Sequence, residues 1–277
     1  MAPYEIDKTT DPVLRVQDVH VSFQGRPILQ GVNLDVHAGE TVVILGGSGC
    51  GKSTLLRTIV GTVLPTRGKV EVLGRSFAEL TPAQLDEHRT KVGILFQSGA
   101  LFQSMTVGEN IAVVLREHYP LSAEEIDIMV TMKLEMVGLR HAKDLLPAEI
   151  SGGMRKRVAL ARTLALDPQV MLYDEPGAGL DPVTLAGVDR MIGTFGKALG
   201  MASVVVTHRM ESALKIAHRM IFLHGGQVLV EGTPEELEQS SDPYLQQFLA
   251  GSCDGPIGDE TDEDDYAAAL LGSELFS

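Results

Sequence analysis

Thr41-Val42-Val43-Ile44-Leu45-Gly46-Gly47-Ser48-Gly49-Cys50-Gly51-Lys52-Ser53-Thr54 runs from an unbroken apolar stretch into a glycine-rich loop, and Leu55-Leu56-Arg57-Thr58-Ile59-Val60 then continues as a helical pattern. A run apolar at every position suits a strand covered on both faces, which is the habit of parallel sheets. The loop fits the phosphate-binding pattern Gly-x-x-x-x-Gly-Lys-Ser/Thr, and the strand, loop, helix order is the context that pattern requires. With glycine at about 7% of residues, a chance match in a chain of this size arises about one time in a hundred. Gly46, Gly49 and Gly51 let the backbone curl so that its N–H groups face phosphate oxygens, and Gly47, Ser48, Cys50 and Thr54 complete the cradle. Lys52 brings positive charge to the phosphates, and the Ser53 hydroxyl is placed to ligand Mg²⁺. The helix behind the loop adds its positive end.

Outward from this loop, short apolar segments between Val13 and about Leu73 read as strands, and strand patterns return at Val170-Met171-Leu172-Tyr173 and Ser203-Val204-Val205-Val206-Thr207. A hairpin is expected at Gly225-Gly226. Between Thr81 and Leu166 the pattern is helical, with capping boxes at Thr81-Pro82-Ala83-Gln84 and Ser122-Ala123-Glu124-Glu125, and a third opens a helix at Thr233-Pro234-Glu235-Glu236 that runs to about Ala250. Strands alternating with helices imply an α/β fold with a mainly parallel core sheet. Met129, Met132 and Met136 recur at helical spacing and are expected to pack in a core.

Asp174 and Glu175 close the strand pattern at Tyr173. Because neighbouring side chains on a strand point in opposite directions, the two carboxylates can divide their work: Asp174 holds Mg²⁺, and Glu175 orients and deprotonates a water. Ser151-Gly152-Gly153 precedes the basic, apolar Met154-Arg155-Lys156-Arg157, so a hydroxyl and helix N–H groups can gather at one anion site.

Composition narrows the setting. Two cysteines, Cys50 and Cys253, leave neither a disulfide framework nor a metal cluster, and Cys50 beside a helix start reads either as a favoured, reactive thiolate or as an inert small filler. The net charge of −14 speaks against nucleic acid as a partner. The eight acidic residues from Asp254 to Glu274 account for much of it, leaving −6 elsewhere. With no apolar run of about 18 residues and no leader pattern, a soluble chain in a reducing compartment is expected. Residues 1–12 read as a flexible N-terminus and 251–277 as an acidic extension whose end, Tyr266-Ala267-Ala268-Ala269-Leu270-Leu271, is apolar.

The phosphate loop, Gln97 after Ile94-Leu95-Phe96, Ser151-Gly152-Gly153, Asp174-Glu175, Gly179-Leu180-Asp181 and His208 after Thr207 stand in the order and spacing of ABC-type ATPases, which the chain resembles. The resemblance implies a P-loop ABC ATPase domain over 13–250, with an N-terminal antiparallel β subdomain and a helical subdomain inserted over about 98–166. It implies a sandwich dimer in which ATP on one copy's phosphate loop is capped by Ser151, Gly152 and Gly153 of the other. Gln97 would sense Mg²⁺ and the water, His208 would contact the γ-phosphate, Asp181 would lie at the subunit contact, and Phe23 would stack on adenine. At the fifth signature position stands Met154, where most of the superfamily has Gln. With Leu95-Phe96-Gln97-Ser98-Gly99-Ala100-Leu101-Phe102 and Phe248-Leu249-Ala250, this departure is similar to the ATPase subunits of Mla/Mce-type phospholipid transport systems. That likeness implies multi-pass permease partners, an MCE-domain lipid-binding protein, in some relatives a small STAS-domain protein, and a place on the cytoplasmic side of the bacterial inner membrane. A solute importer ATPase would share every one of these catalytic residues, whereas a non-transport ABC protein of translation or DNA repair usually carries a paired domain, a coiled-coil insertion or zinc cysteines.

Overall fold

In the computed structural model, which describes residue 6 and residues 9–258, two sheets and a set of helices build the protein. The strands are β1 (Leu14–Phe23), β2 (Arg26–Val36), β3 (Thr41–Leu45), β4 (Arg67–Val72), β5 (Val92–Leu95), β6 (Val170–Asp174), β7 (Ala202–Val206), β8 (Arg219–His224) and β9 (Gln227–Gly232). The helices are α1 (Lys52–Ile59), α2 (Pro82–Arg89), α3 (Val107–His118), α4 (Ala123–Met136), α5 (Gly152–Thr163), α6 (Pro182–Leu199), α7 (Met210–Ile216), α8 (Pro234–Glu238) and α9 (Pro243–Ala250).

The larger sheet has the order β5-β6-β7-β3-β8-β9, parallel except for β9, which returns antiparallel from β8 through the Gly225-Gly226 hairpin. The smaller sheet, β2-β1-β4, is antiparallel. Every residue of β3 is buried, and its side chains alternate between two cores. Val43 and Leu45 pack with Leu95, Tyr173, Phe222 and the helical side, including Ile111, Leu134 and Val158. Val42 and Ile44 pack with Leu56 and Ile59 of α1 and with Val16, Leu29 and Leu34 of the antiparallel sheet. The double covering explains the unbroken apolar run: neither face of β3 meets water.

The three expected capping boxes are formed at Thr81, Ser122 and Thr233, each worth about 1 kcal/mol of helix stability. Two expectations need correcting. The helix opened at Thr233 is two helices, because Asp242 caps a second start and Pro243 cannot continue the first. Of the three methionines, Met129 and Met136 pack against the core, but Met132 is 61% exposed on the outer side of α4.

At the end of the described chain, Gln247 of α9 is buried and clasps the loop that follows. Its Nε2 donates to the carbonyls of Ser252 and Ile257, and its Oε1 accepts from the Ile257 N–H at 2.6 Å. Residues 259–277, which include the expected apolar end and most of the acidic run, lie outside the described residues, as does most of the expected flexible N-terminus. Among the described residues, no helix is long and apolar enough to cross a membrane.

Candidate functional site

Because β3, β5, β6 and β7 are parallel neighbours in one sheet, their carboxyl ends open on the same edge, where ligands of such sheets bind. The phosphate loop leaves β3, Gln97 follows β5, Asp174 ends β6 with Glu175 next, and Thr207-His208 follows β7. Residues far apart in the chain are thereby gathered at one place.

Gly51 is the N-cap of α1 at φ 107°, in the region open to glycine, and a Cβ there would sit 2.7 Å from Leu29 Cδ2 and 3.0 Å from the Ile28 carbonyl. The start of α1 is therefore pressed against β2. The Lys52 ammonium donates to the carbonyls of Gly46 at 2.8 Å and Gly47 at 2.6 Å, curled within its own loop. Cys50 is 9% exposed, and burial pushes its thiol up, with Lys52 opposing the shift. Of the two readings of Cys50, the reactive thiolate is thus corrected: desolvation outweighs the helix start and the neighbouring cation.

The Ser53 hydroxyl donates to Asp174 Oδ1 at 3.3 Å, and Gln97 and Asp174 line one open cleft with Ala178 and Gly179. Burial raises the Asp174 carboxyl, with the Ser53 bond working against it. A hydroxyl, an amide and a carboxylate whose charge lacks full solvation fit a hard cation such as Mg²⁺, provided phosphate and water oxygens complete the shell. Among the described residues no three His, Cys, Asp or Glu side chains gather as a self-sufficient metal site.

Glu175 diverges from Asp174 for a reason other than strand alternation, and this corrects the expectation. It lies just past the strand, at φ 46°, so a left-handed turn swings its side chain to the β7 side. There Thr207 Oγ1 donates to Oε2 at 3.2 Å, and His208 Nδ1 lies 2.9 Å from Oε1. Facing a carboxylate acceptor, Nδ1 is the protonated nitrogen. Thr207 is a site residue that the sequence presented only as the end of a strand pattern.

Ser151 and Gly152 are exposed at the start of α5, where the Ser151 hydroxyl oxygen accepts from the Met154 N–H at 3.2 Å. The N–H groups of Gly152 and Gly153 have no acceptor within the helix, as at any helix start; Gly152 is exposed, whereas Gly153 is buried. Asp181 caps α6, and the hydroxyl and N–H of Thr184, with the Val183 N–H, hold its carboxyl below the usual range. The two helix starts touch: a Cβ on Gly153 would lie 2.3 Å from Thr184 Cγ2. Gly153→Ala is therefore expected to cost about 1–3 kcal/mol through overpacking, read as a lowered urea midpoint, and Thr184→Gly in the same chain is expected to restore most of it. Neither the Ser53–Asp174 bond nor the bonds of Glu175 with Thr207 and His208 extend to Ser151 or Asp181 among the described residues. Phe23 ends β1 beside the turn to β2 and is 48% exposed, so it is not a core aromatic.

Residues 29–178 match the family model described as ABC transporter. The intermembrane phospholipid transport system ATP-binding protein MlaF of Haemophilus influenzae is 40% identical over 94% of this chain and 98% of its own length. A probable ribonucleotide transport ATP-binding protein, mkl of Mycobacterium leprae, is 42% identical over 93% of this chain and 76% of its own. The dimeric post-hydrolysis structure of the ATP-binding cassette MJ0796 bound to ADP and Pi matches with a TM-score of 0.72 at 31% identity, over 80% of this chain and 98% of that one. With a family match across more than half of the chain and relatives aligned over nearly all of it, the chain belongs to the ABC transporter family.

Proposed function

We propose that this chain is the ATP-hydrolysing subunit of an ABC transporter that moves phospholipid between membranes. The observation that carries the catalytic part is Glu175, held by Thr207 and His208 at the strand edge beside the Ser53 and Asp174 pair. The backbone from Gly46 to Thr54 cradles the phosphates of ATP, Lys52 exchanges two neutral carbonyl partners for phosphate oxygens, and Phe23 stacks on adenine. Ser53, Asp174 and Gln97 hold Mg²⁺, which when bound neutralises charge on the phosphate oxygens. Glu175 accepts the proton of the attacking water, and its two bonds fix which way the carboxylate faces. With Nδ1 turned to Glu175, the outer nitrogen of His208 is the one that faces the γ-phosphate.

ATP lies between two copies, capped by Ser151, Gly152 and Gly153 of the second, with Asp181 at the contact. Residues 13–250 form the ATPase domain, about 98–166 its helical subdomain, and 251–277 an acidic C-terminal extension. The dimer sits on the cytoplasmic face of the inner membrane under multi-pass permeases joined to an MCE-domain lipid-binding protein, with a STAS-domain protein as a further partner. The MlaF relative supports the phospholipid cargo because the alignment spans 98% of its length, against 76% for the mycobacterial relative named for ribonucleotides. The test is to tag the chain, purify it from gently solubilised membranes, and identify proteins and lipids by mass spectrometry. A permease with an MCE-domain protein and bound phospholipid is the expected result. A solute permease without lipid would transfer the reading to solute import.

A further inference from the structure

One face of α5 is fastened to the backbone that carries Gln97. The Lys156 ammonium, on a side chain buried to within 8% of full shielding, donates to the Gln97 carbonyl. Two turns on, the Arg162 guanidinium donates to the carbonyls of Ala100 at 2.8 Å and Gly99 at 3.0 Å. Thr163 Oγ1 lies 3.4 Å from the Ile94 carbonyl. Between these anchors a Cβ on Gly99 would stand only 3.3 Å from Ala159, so loop and helix are also in close contact. Positions 156, 159 and 163 fall on one side of a helix, and apart from the Ala159 carbonyl, to which the Thr163 hydroxyl also donates at 2.9 Å, every acceptor they or Arg162 meet belongs to residues 94–100.

The same helix begins with Ser151-Gly152-Gly153. In a sandwich dimer those residues face the nucleotide held by the partner copy, while Gln97 faces the nucleotide held by its own. We propose that α5 is a rigid strap between the two ATP sites, with Lys156 the positioning residue that carries a displacement at the signature end to Gln97. This rests on the sandwich reading above.

A buried ammonium is an expensive way to pack a helix on a loop, and a Met or Leu of similar volume would do so without the desolvation cost. What the cation adds is direction, because it holds one carbonyl of the Gln97 backbone. It also adds charge: burial lowers the Lys156 ammonium from its ordinary range, and Asp174 and Glu175 are near enough to pull it back. The strap thus ends within electrostatic reach of both site carboxylates. Coupling of this kind appears as cooperativity between sites, with a Hill coefficient bounded by their number, which is two.

The test uses the full-length chain purified with its membrane components, in wild-type, Lys156→Met and Lys156→Arg forms. ATP titrations of hydrolysis are expected to give a Hill coefficient approaching about 2 for wild type, near about 1 for Lys156→Met, and a wild-type value for Lys156→Arg, which restores the donor. Hydrogen–deuterium exchange of the nucleotide-free chain is expected to quicken at residues 96–100 in the Met variant alone. A wild-type Hill coefficient together with wild-type exchange in Lys156→Met would overturn the strap. A wild-type enzyme with a Hill coefficient of about 1 and no ATP-driven dimer would instead overturn the sandwich reading, and the strap with it. Should Lys156→Met fail to fold, Lys156→Gln, uncharged and too short to span the same gap, takes its place with the same expected results.

Discussion

Glu175→Gln is expected to lower ATP turnover by about a hundredfold to ten-thousandfold, the range that a positioned general base contributes. The amide is nearly the same size as the carboxylate; with its oxygen turned to His208 Nδ1, its NH2 faces Thr207 Oγ1 and can donate to that hydroxyl oxygen, so the fold and the binding step survive. What is lost is the ability to accept a proton. Because binding persists while hydrolysis fails, the variant is expected to accumulate as an ATP-bound dimer. Size-exclusion chromatography with multi-angle light scattering, with and without ATP and Mg²⁺, checks the assembly, and phosphate release checks turnover. Near-normal turnover in Glu175→Gln would remove the residue from its assigned role and reassign the chemistry to Asp174 or His208.

The second large effect is expected at Lys52. Its ammonium makes two hydrogen bonds to neutral carbonyls of its own loop, and exchanging these for phosphate oxygens pairs the cation with anionic acceptors. Hydrogen bonds to charged groups are worth about 1.5–3 kcal/mol each, so losing two of them weakens nucleotide binding by about a hundredfold or more. Lys52→Ala is therefore expected to show little binding of a fluorescent ATP analogue at concentrations that saturate wild type. Lys52→Arg serves as the control, since it keeps the charge but places a broader group where two carbonyls stand within 2.8 Å. An unchanged affinity in Lys52→Ala would mean that the backbone cradle alone binds the phosphates.

Much of this site is legible in the chain because its chemistry is local. The phosphate loop is contiguous, so the order of glycines, Lys52 and Ser53 discloses both its conformation and its ligand. The parallel sheet follows from buried runs such as Val42 to Leu45, and the capping boxes at Thr81, Ser122 and Thr233 declare their helices through side chains three residues apart. What escapes is whatever depends on strand order. Thr207 is a site residue only because β7 lies between β6 and β3, and nothing beside it in sequence says so. Lys156 reads as one more cation on a basic helix until its partner, the carbonyl of Gln97, is seen 59 residues away. The thiolate reading of Cys50 failed for the opposite reason: the helix start that favours a thiolate is a local signal, whereas the burial that opposes it comes from the packed sheet. Met132 shows the limit of periodicity, which finds a stripe on α4 without saying which of its members reach the core.

Glutamate is poorly suited to the backbone at position 175. A left-handed conformation costs a residue with a Cβ about 1–2 kcal/mol, and here the turn at φ 46° is what aims the carboxylate toward Thr207 and His208. The working enzyme is consequently less stable than a dead one could be, since glycine at this position would relax the strain while abolishing the base. Screens that select variants of this protein for heat resistance alone will tend to drift toward inactivity at this residue, and stability and turnover must be selected together to hold it.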